Sequence, residues 1–242
     1  MHRSAPRLTR ILACAAVPVM LVVAGCSSDS DSKSDPKQSA PAGAAPTGGE
    51  TKDSPPPVQP AKYLKLPTAC KAITEKTIEK LVPEVKTKSG TPGKSSDTAS
   101  RGSCSWNGLD DKGVKGSQYR WLDISLLRYD SDTALGSGEK RAQENFDKEV
   151  AKVQATEGAT AVHTSVATGV GNQATAISYG LKKTDEDFKY AAIVTRTENA
   201  VITVSFNGAG YAGAKTPDPA DLMEDAVVAA KEAVAAVAAA NK

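Results

Sequence analysis

The sharpest alternation of apolar and polar positions runs through residues 119–129, where Leu122, Ile124 and Leu126 fall on one side and Trp121, Asp123 and Ser125 on the other. A period of two is the mark of a half-buried strand. Shorter runs at 162–166, 174–181, 188–196 and 200–207 have the same β-rich character. Glu198-Asn199 is a tight connection between the last two, and the charged run 182–187 joins the pair before them. Cys104-Ser105-Trp106 opens a further strand, with 107–116 as the hairpin loop that leads into 119–129.

Helical spacing replaces this alternation in three places. Residues 75–82 place Ile78, Leu81 and Val82 on one side, with Thr74 as N-cap and Pro83 as the stop. Residues 139–154 keep Ala142, Phe146, Val150 and Val153 in register. Residues 219–239 carry the stripe Leu222, Ala226, Ala229, Ala233 and Val237, whose small side chains suit close packing on a sheet. The order is helix, strands, helix, strands, helix, and short connections between successive strands require antiparallel pairing. The expected fold is α+β, a largely antiparallel sheet with helices packed on one face, in a single domain over 61–242.

Ahead of that domain the pattern changes twice. Residues 1–25 carry Arg3, Arg7 and Arg10 and then an apolar run of 13 residues, 11–23. A membrane-spanning helix needs about 20. The run closes on Val23-Ala24-Gly25-Cys26, which reads as a lipobox, the signal for cleavage before a cysteine that is then acylated. By resemblance to bacterial lipoproteins, Cys26 takes a thioether-linked diacylglycerol. Two acyl chains anchor a protein stably to a membrane surface without spanning it. The implied place is the extracytoplasmic side of the cell membrane. Residues 26–60 hold this cysteine and a linker of Ser, Asp, Lys, Pro, Gly and Ala, too poor in apolar surface to fold. Its 34 residues after Cys26 span about 30–35 Å as a coil.

The leader also changes the charge. Removing its three arginines from 30 basic residues leaves 27 against 28 acidic ones, so the mature chain is close to neutral. Nothing in that balance marks a nucleic-acid partner. The leader also takes Cys14, and acylation uses Cys26. Cys70 and Cys104 remain and are expected to pair outside the cytoplasm, two free buried thiols being the alternative. With His163 as the one mature histidine, no zinc ligand set is available, and no cofactor is expected.

Cys70, the helix led by Thr74 and Cys104-Ser105-Trp106 together resemble actinobacterial secreted lipoproteins of a domain family of unknown function, which pairs a cysteine before its first helix with a Cys-x-Trp strand. Gly169-Val170-Gly171-Asn172-Gln173-Ala174 is similar to a Gly-Leu-Gly-Asp-Glu-Ala turn found there and in extracellular sensor domains of serine/threonine kinases, with Asn172 and Gln173 in place of the acidic pair. The resemblance carries over no catalytic residue.

Four catalytic patterns are open on paper. Residues 208–213 fit G-x-G-x-x-G but lead into Pro217 and Pro219 rather than straight into a helix, so a glycine loop is expected. Ser137-Gly138-Glu139-Lys140 fits S-x-x-K without the companion elements of a penicillin-binding enzyme, so Ser137 is expected to cap a helix. His163 has no G-x-S-x-G partner. Asp110-Asp111 and 185–187 are acidic pairs in expected loops, where solvation dominates. More informative are the aromatic residues. Tyr119, Trp121 and Tyr129 share the strand face opposite Leu122, Ile124 and Leu126, and are the candidate ligand-binding residues if that face is open. Packing of the aromatics, Trp106 included, under the long loop 86–103 is the competing arrangement.

The reading is a non-catalytic binding or sensor module of the cell envelope, held by Cys26. Its expected partners are the membrane, through the lipid, and a cell-wall ligand or an envelope protein. A structural or accessory subunit of an envelope complex is the alternative. An envelope hydrolase would need His163 beside an acid and an exposed serine.

Overall fold

A computed structural model describes residues 57–242. The expected leader 1–25, the expected acylation site Cys26 and the expected linker up to residue 56 lie outside the described residues. Seven strands form one antiparallel sheet, in the order β1-β2-β3-β7-β6-β5-β4. They are β1 (Thr91–Pro92), β2 (Arg101–Asp111), β3 (Ser117–Arg128), β4 (Thr160–Val166), β5 (Gln173–Lys183), β6 (Glu186–Thr197) and β7 (Ala200–Tyr211). Three helices complete the fold: α1 (Glu75–Leu81), α2 (Gly138–Gln154) and α3 (Pro219–Ala239). The expected α+β class, antiparallel pairing and single folded domain are all present.

Each helix starts where its cap residue dictates. Thr74, Ser137 and Asp218 accept backbone N–H groups at the starts of α1, α2 and α3. Glu232 of α3 then ties α1 down, accepting from the Thr74 N–H at 2.7 Å and from the Thr77 hydroxyl at 2.6 Å. The alanine stripe of α3, Ala226, Ala229, Ala230 and Ala233, is fully buried. It lets the helix lie close on Ile193, Ile202, Val204 and Phe206 in the main core, which also takes Leu122, Ile124, Leu126 and Trp106.

The expectation that the helices share one face holds for α1 and α3 but not for α2. Ala142 and Phe146 of α2 pack on the opposite face against Ile177, Val194 and Val201. The reason lies in the central strands. On β3 the second face is polar at Asp123 and Ser125, but Ile177 of β5, Val194 of β6 and Val201 at the start of β7 make it apolar enough there to need a cover. Since α2 covers only part of that face, a stretch of sheet beside it is left open.

Two loop expectations also change. The strand that begins near Cys104 continues to Asp111 as β2, so the β2–β3 hairpin loop is only residues 112–116. Its polar Asn107, Asp110 and Asp111 hid the strand, because the near-edge position lets one face stay wet. Likewise, 208–211 of the glycine-rich segment belong to β7 and pair with β3, Gly208 with Arg120 and Gly210 with Gln118. A Cβ on Gly208 would meet the Tyr119 carbonyl and the Arg120 side chain. The glycines serve close strand approach rather than phosphate binding.

Cys70 and Cys104 form the expected disulfide, across 34 residues of chain. It ties the 3-10 turn Ala69–Lys71 to β2. The loop 86–103 folds back over it through β1. Trp106 lies under that loop, buried, its indole N–H donating to the Lys88 carbonyl at 3.2 Å. Gly90, at φ +77°, lies against the Trp106 ring and Cys104, and a Cβ there would overlap both.

Candidate functional site

Antiparallel register builds the site. Trp121 of β3 is opposite Asn207 of β7, Asn207 opposite Tyr190 of β6, and Tyr190 opposite Tyr179 of β5. The four side chains therefore make one row across four strands, on the face that α2 only partly covers. Beside it, Asp123 is paired with Ser205 across β7 and with Ser105 across β2. On the other side, Tyr119 meets Phe188 edge to face at 6.0 Å, and Phe188 meets Tyr211 at 6.5 Å in the same manner. These groups line an open groove of about 570 Å³ formed by Tyr119, Trp121, Asp123, Lys183, Phe188, Tyr190, Ser205, Asn207 and Tyr211.

The groove's edges are held by ring packing. Tyr179 stacks on Tyr190 with 4.7 Å between ring centres. Lys183 donates to the Tyr190 hydroxyl at 2.6 Å and lies over the Tyr190 and Phe188 rings, at 5.2 and 5.8 Å. Burial raises the phenols of Tyr119 and Tyr211, keeping them neutral hydrogen-bond groups. Asp123 is half-buried. Loss of water around it pushes its carboxyl up to about 6, an effect the neighbouring Trp121 indole opposes in part.

Of the three candidate aromatics, the structure brings Tyr119 and Trp121 together and sets Tyr129 apart. Tyr129 follows the far end of β3, about 30 Å from Tyr119 at the rise of a strand. There it lines a smaller cleft of about 170 Å³ with Arg101, Arg128, Asp130 and Arg141. The Arg141 guanidinium lies 5.9 Å over its ring, and Arg128 pairs with Asp130.

Ser137 is the α2 cap, accepting the Lys140 N–H at 3.2 Å. His163 lies on the edge strand β4, in a hollow lined by Thr164, Ser165, Ala176, Ser178, Pro219, Ala220 and Met223, with no acid among them. Asp110 pairs with Lys112, and Asp111 accepts from the Gly113 N–H and the Ser117 hydroxyl, which hold its carboxyl below the usual range. Both acids shape the β2–β3 hairpin. Among the described residues no three His, Cys, Asp or Glu side chains come together as a metal site.

Sequence reasoning missed Asp123, Lys183, Phe188, Tyr190, Asn207 and Tyr211 as site residues. A signal was present in the alternation itself. Phe188 and Tyr190 are two apart, and so are Trp121 and Asp123. Reading each strand's second face, and then pairing β3 with β7, would have joined them.

No family model matches the chain, and no curated protein matches its sequence. A solved structure, LpqN of Mycobacterium tuberculosis, described as involved in cell envelope biogenesis, aligns at 18% identity over 58% of this chain and 82% of that one, with a TM-score of 0.30. A likeness at that level says nothing about this chain's activity.

Proposed function

We propose that this chain is a non-catalytic binding module of the cell envelope, acylated at Cys26, that presents the groove at Tyr119 and Trp121 to a ligand on the extracytoplasmic side. The observation that carries the reading is the groove, an aromatic-walled concavity with a few convergent polar groups. The lipobox at Val23-Ala24-Gly25-Cys26 supports the location. So does the Cys70–Cys104 disulfide, since such bonds persist in oxidising compartments. Binding is favoured over chemistry because the groove lining holds one carboxylate and neither histidine nor cysteine.

The test is a thermal-shift screen of residues 57–242, the folded part of the chain, against peptidoglycan fragments, glycans, lipids, siderophores and metal ions. A ligand at 100 times its Kd stabilises by about 2.7 kcal/mol, roughly 5–10 °C for a domain of this size. A hit lost in Trp121→Ala supports the reading. A blank panel on a well-folded domain overturns it in favour of an accessory subunit of an envelope complex. One observation favours that second reading. Edge strand β4 is exposed along its whole length and, beyond the bulge between Thr160 and His163, carries no Asp, Glu, Lys, Arg or proline to guard it.

A further inference from the structure

We propose that the groove recognises an organic ammonium group, with Asp123 as the anionic partner and the Trp121 ring as the surface on which the cation rests. This rests on the reading of the groove as a ligand site and names the chemistry of its occupant.

Asp123 is the only carboxylate in the lining. Its cross-strand neighbours are serines, Ser205 and Ser105, and no Lys, Arg or His among the described residues forms an ion pair with it. The groove's own cation is committed elsewhere, since Lys183 donates to Tyr190 and covers the Phe188 and Tyr190 rings. A carboxylate partly withdrawn from water and left without a counter-ion is costly. A ligand bringing an ammonium group would offset that cost, whereas a neutral or anionic ligand would add to it.

The ring beside the acid fits the same class. Aromatic faces attract ammonium groups, indole most strongly. Among the described residues no ring stacks on Trp121 and no cation lies over it, unlike Tyr190, which has both Tyr179 and Lys183. So the best cation-binding face in the groove is the one left open, two residues from the unpaired carboxylate on the same side of β3.

The other titratable groups around Asp123 are Tyr119, Tyr179, Tyr190, Tyr211 and Lys183, with Glu186 at the start of β6 acting on Tyr211. The side chains that α2 packs toward this cluster are Ala142, Phe146, Val150 and Val153, none of them titratable. Asp123 is thus the one acid in the groove lining itself. Its carboxyl is pushed up to about 6 by burial, so neutralising it in mild acid removes the partner.

Residues 57–242 would be titrated with choline, with n-butylamine and with 3,3-dimethylbutan-1-ol, the uncharged isostere of choline, following tryptophan fluorescence. Trp106 is buried away from the groove, so the change reports Trp121. Choline is expected to saturate at pH 7.5, with the alcohol at least tenfold weaker. Asp123→Asn is expected to weaken choline at least tenfold without lowering Tm, and binding by the native protein is expected to fall as pH drops through about 6. Equal binding of the alcohol, or full choline affinity in Asp123→Asn, overturns the assignment. An ammonium group on a free metabolite and one on a lipid headgroup share this chemistry. Vesicles of phosphatidylethanolamine, compared with soluble n-butylamine, tell them apart. A charge-indifferent hit in the wider panel that still needs Trp121 would sink the ammonium assignment and leave the binding module standing. A groove that takes no ligand at all sinks both.

Discussion

At the scale of single residues, Asp123 links site and stability. Its carboxyl is raised by burial, so between the unfolded value near 4 and the folded value of about 6 the native state holds more protons than the unfolded chain. Stability must therefore fall as pH rises through that window, the reverse of a salt-bridged acid. Asp123→Asn is expected to gain about 1–2 kcal/mol at pH 7.5 and to lose that advantage at pH 4, as urea denaturation at the two values would show. An equal effect at both would mean the carboxyl is not desolvated. Asn199 is the opposite kind of residue, structural throughout. Its amide accepts the Tyr63 N–H at 2.7 Å and donates to the carbonyls of Tyr63 at 2.8 Å and Tyr129 at 2.9 Å. Asn199→Ala takes this partner from the Tyr63 N–H and the Tyr129 carbonyl, while Arg128 still reaches the Tyr63 carbonyl at 3.4 Å, and is expected to destabilise by about 2–4 kcal/mol in the same assay. Neither role shows in the sequence. Both depend on which strand lies opposite, and register is a tertiary property.

Helices and strands were the most legible level. The α3 limits, 219–239, follow from Asp218-Pro219 and the spacing of Leu222 to Val237, and the structure keeps them. Strand β3 was readable because one face is purely aliphatic. Strand β2 runs further than its pattern shows because its wet face carries Asn107 and Asp111, and α2 departs from the expected face because the second face is apolar at Ile177, Val194 and Val201. The aromatic trio fared accordingly. Tyr119 and Trp121 meet, while Tyr129 lies beyond the strand end, because sharing a face says nothing about distance along it. The disulfide belongs to this scale too. It closes a 34-residue span that holds α1 and the loop 86–103. Its removal in Cys70→Ala/Cys104→Ala is expected to cost about 3–4 kcal/mol in the chain-entropy description. Denaturation of the two proteins measures it, and an unchanged midpoint would show that α1 and the loop hold themselves.

For the whole molecule, the reading joins a folded domain to an acyl anchor through a chain too polar to pack. Cys26→Ala is expected to move the protein from the membrane fraction to the medium, or to leave an uncleaved precursor. Normal acylation and retention of that variant would remove the lipobox argument. Among the described residues the aromatic groove and the β4 edge are both open, and the ligand is assigned to the groove. Amide chemical-shift mapping of residues 57–242 with the strongest ligand from the panel tests that choice most directly. The account predicts shifts confined to the groove strands, around 119–123, 188–190 and 205–211. Shifts along Thr160–Val166 with the groove silent would contradict it.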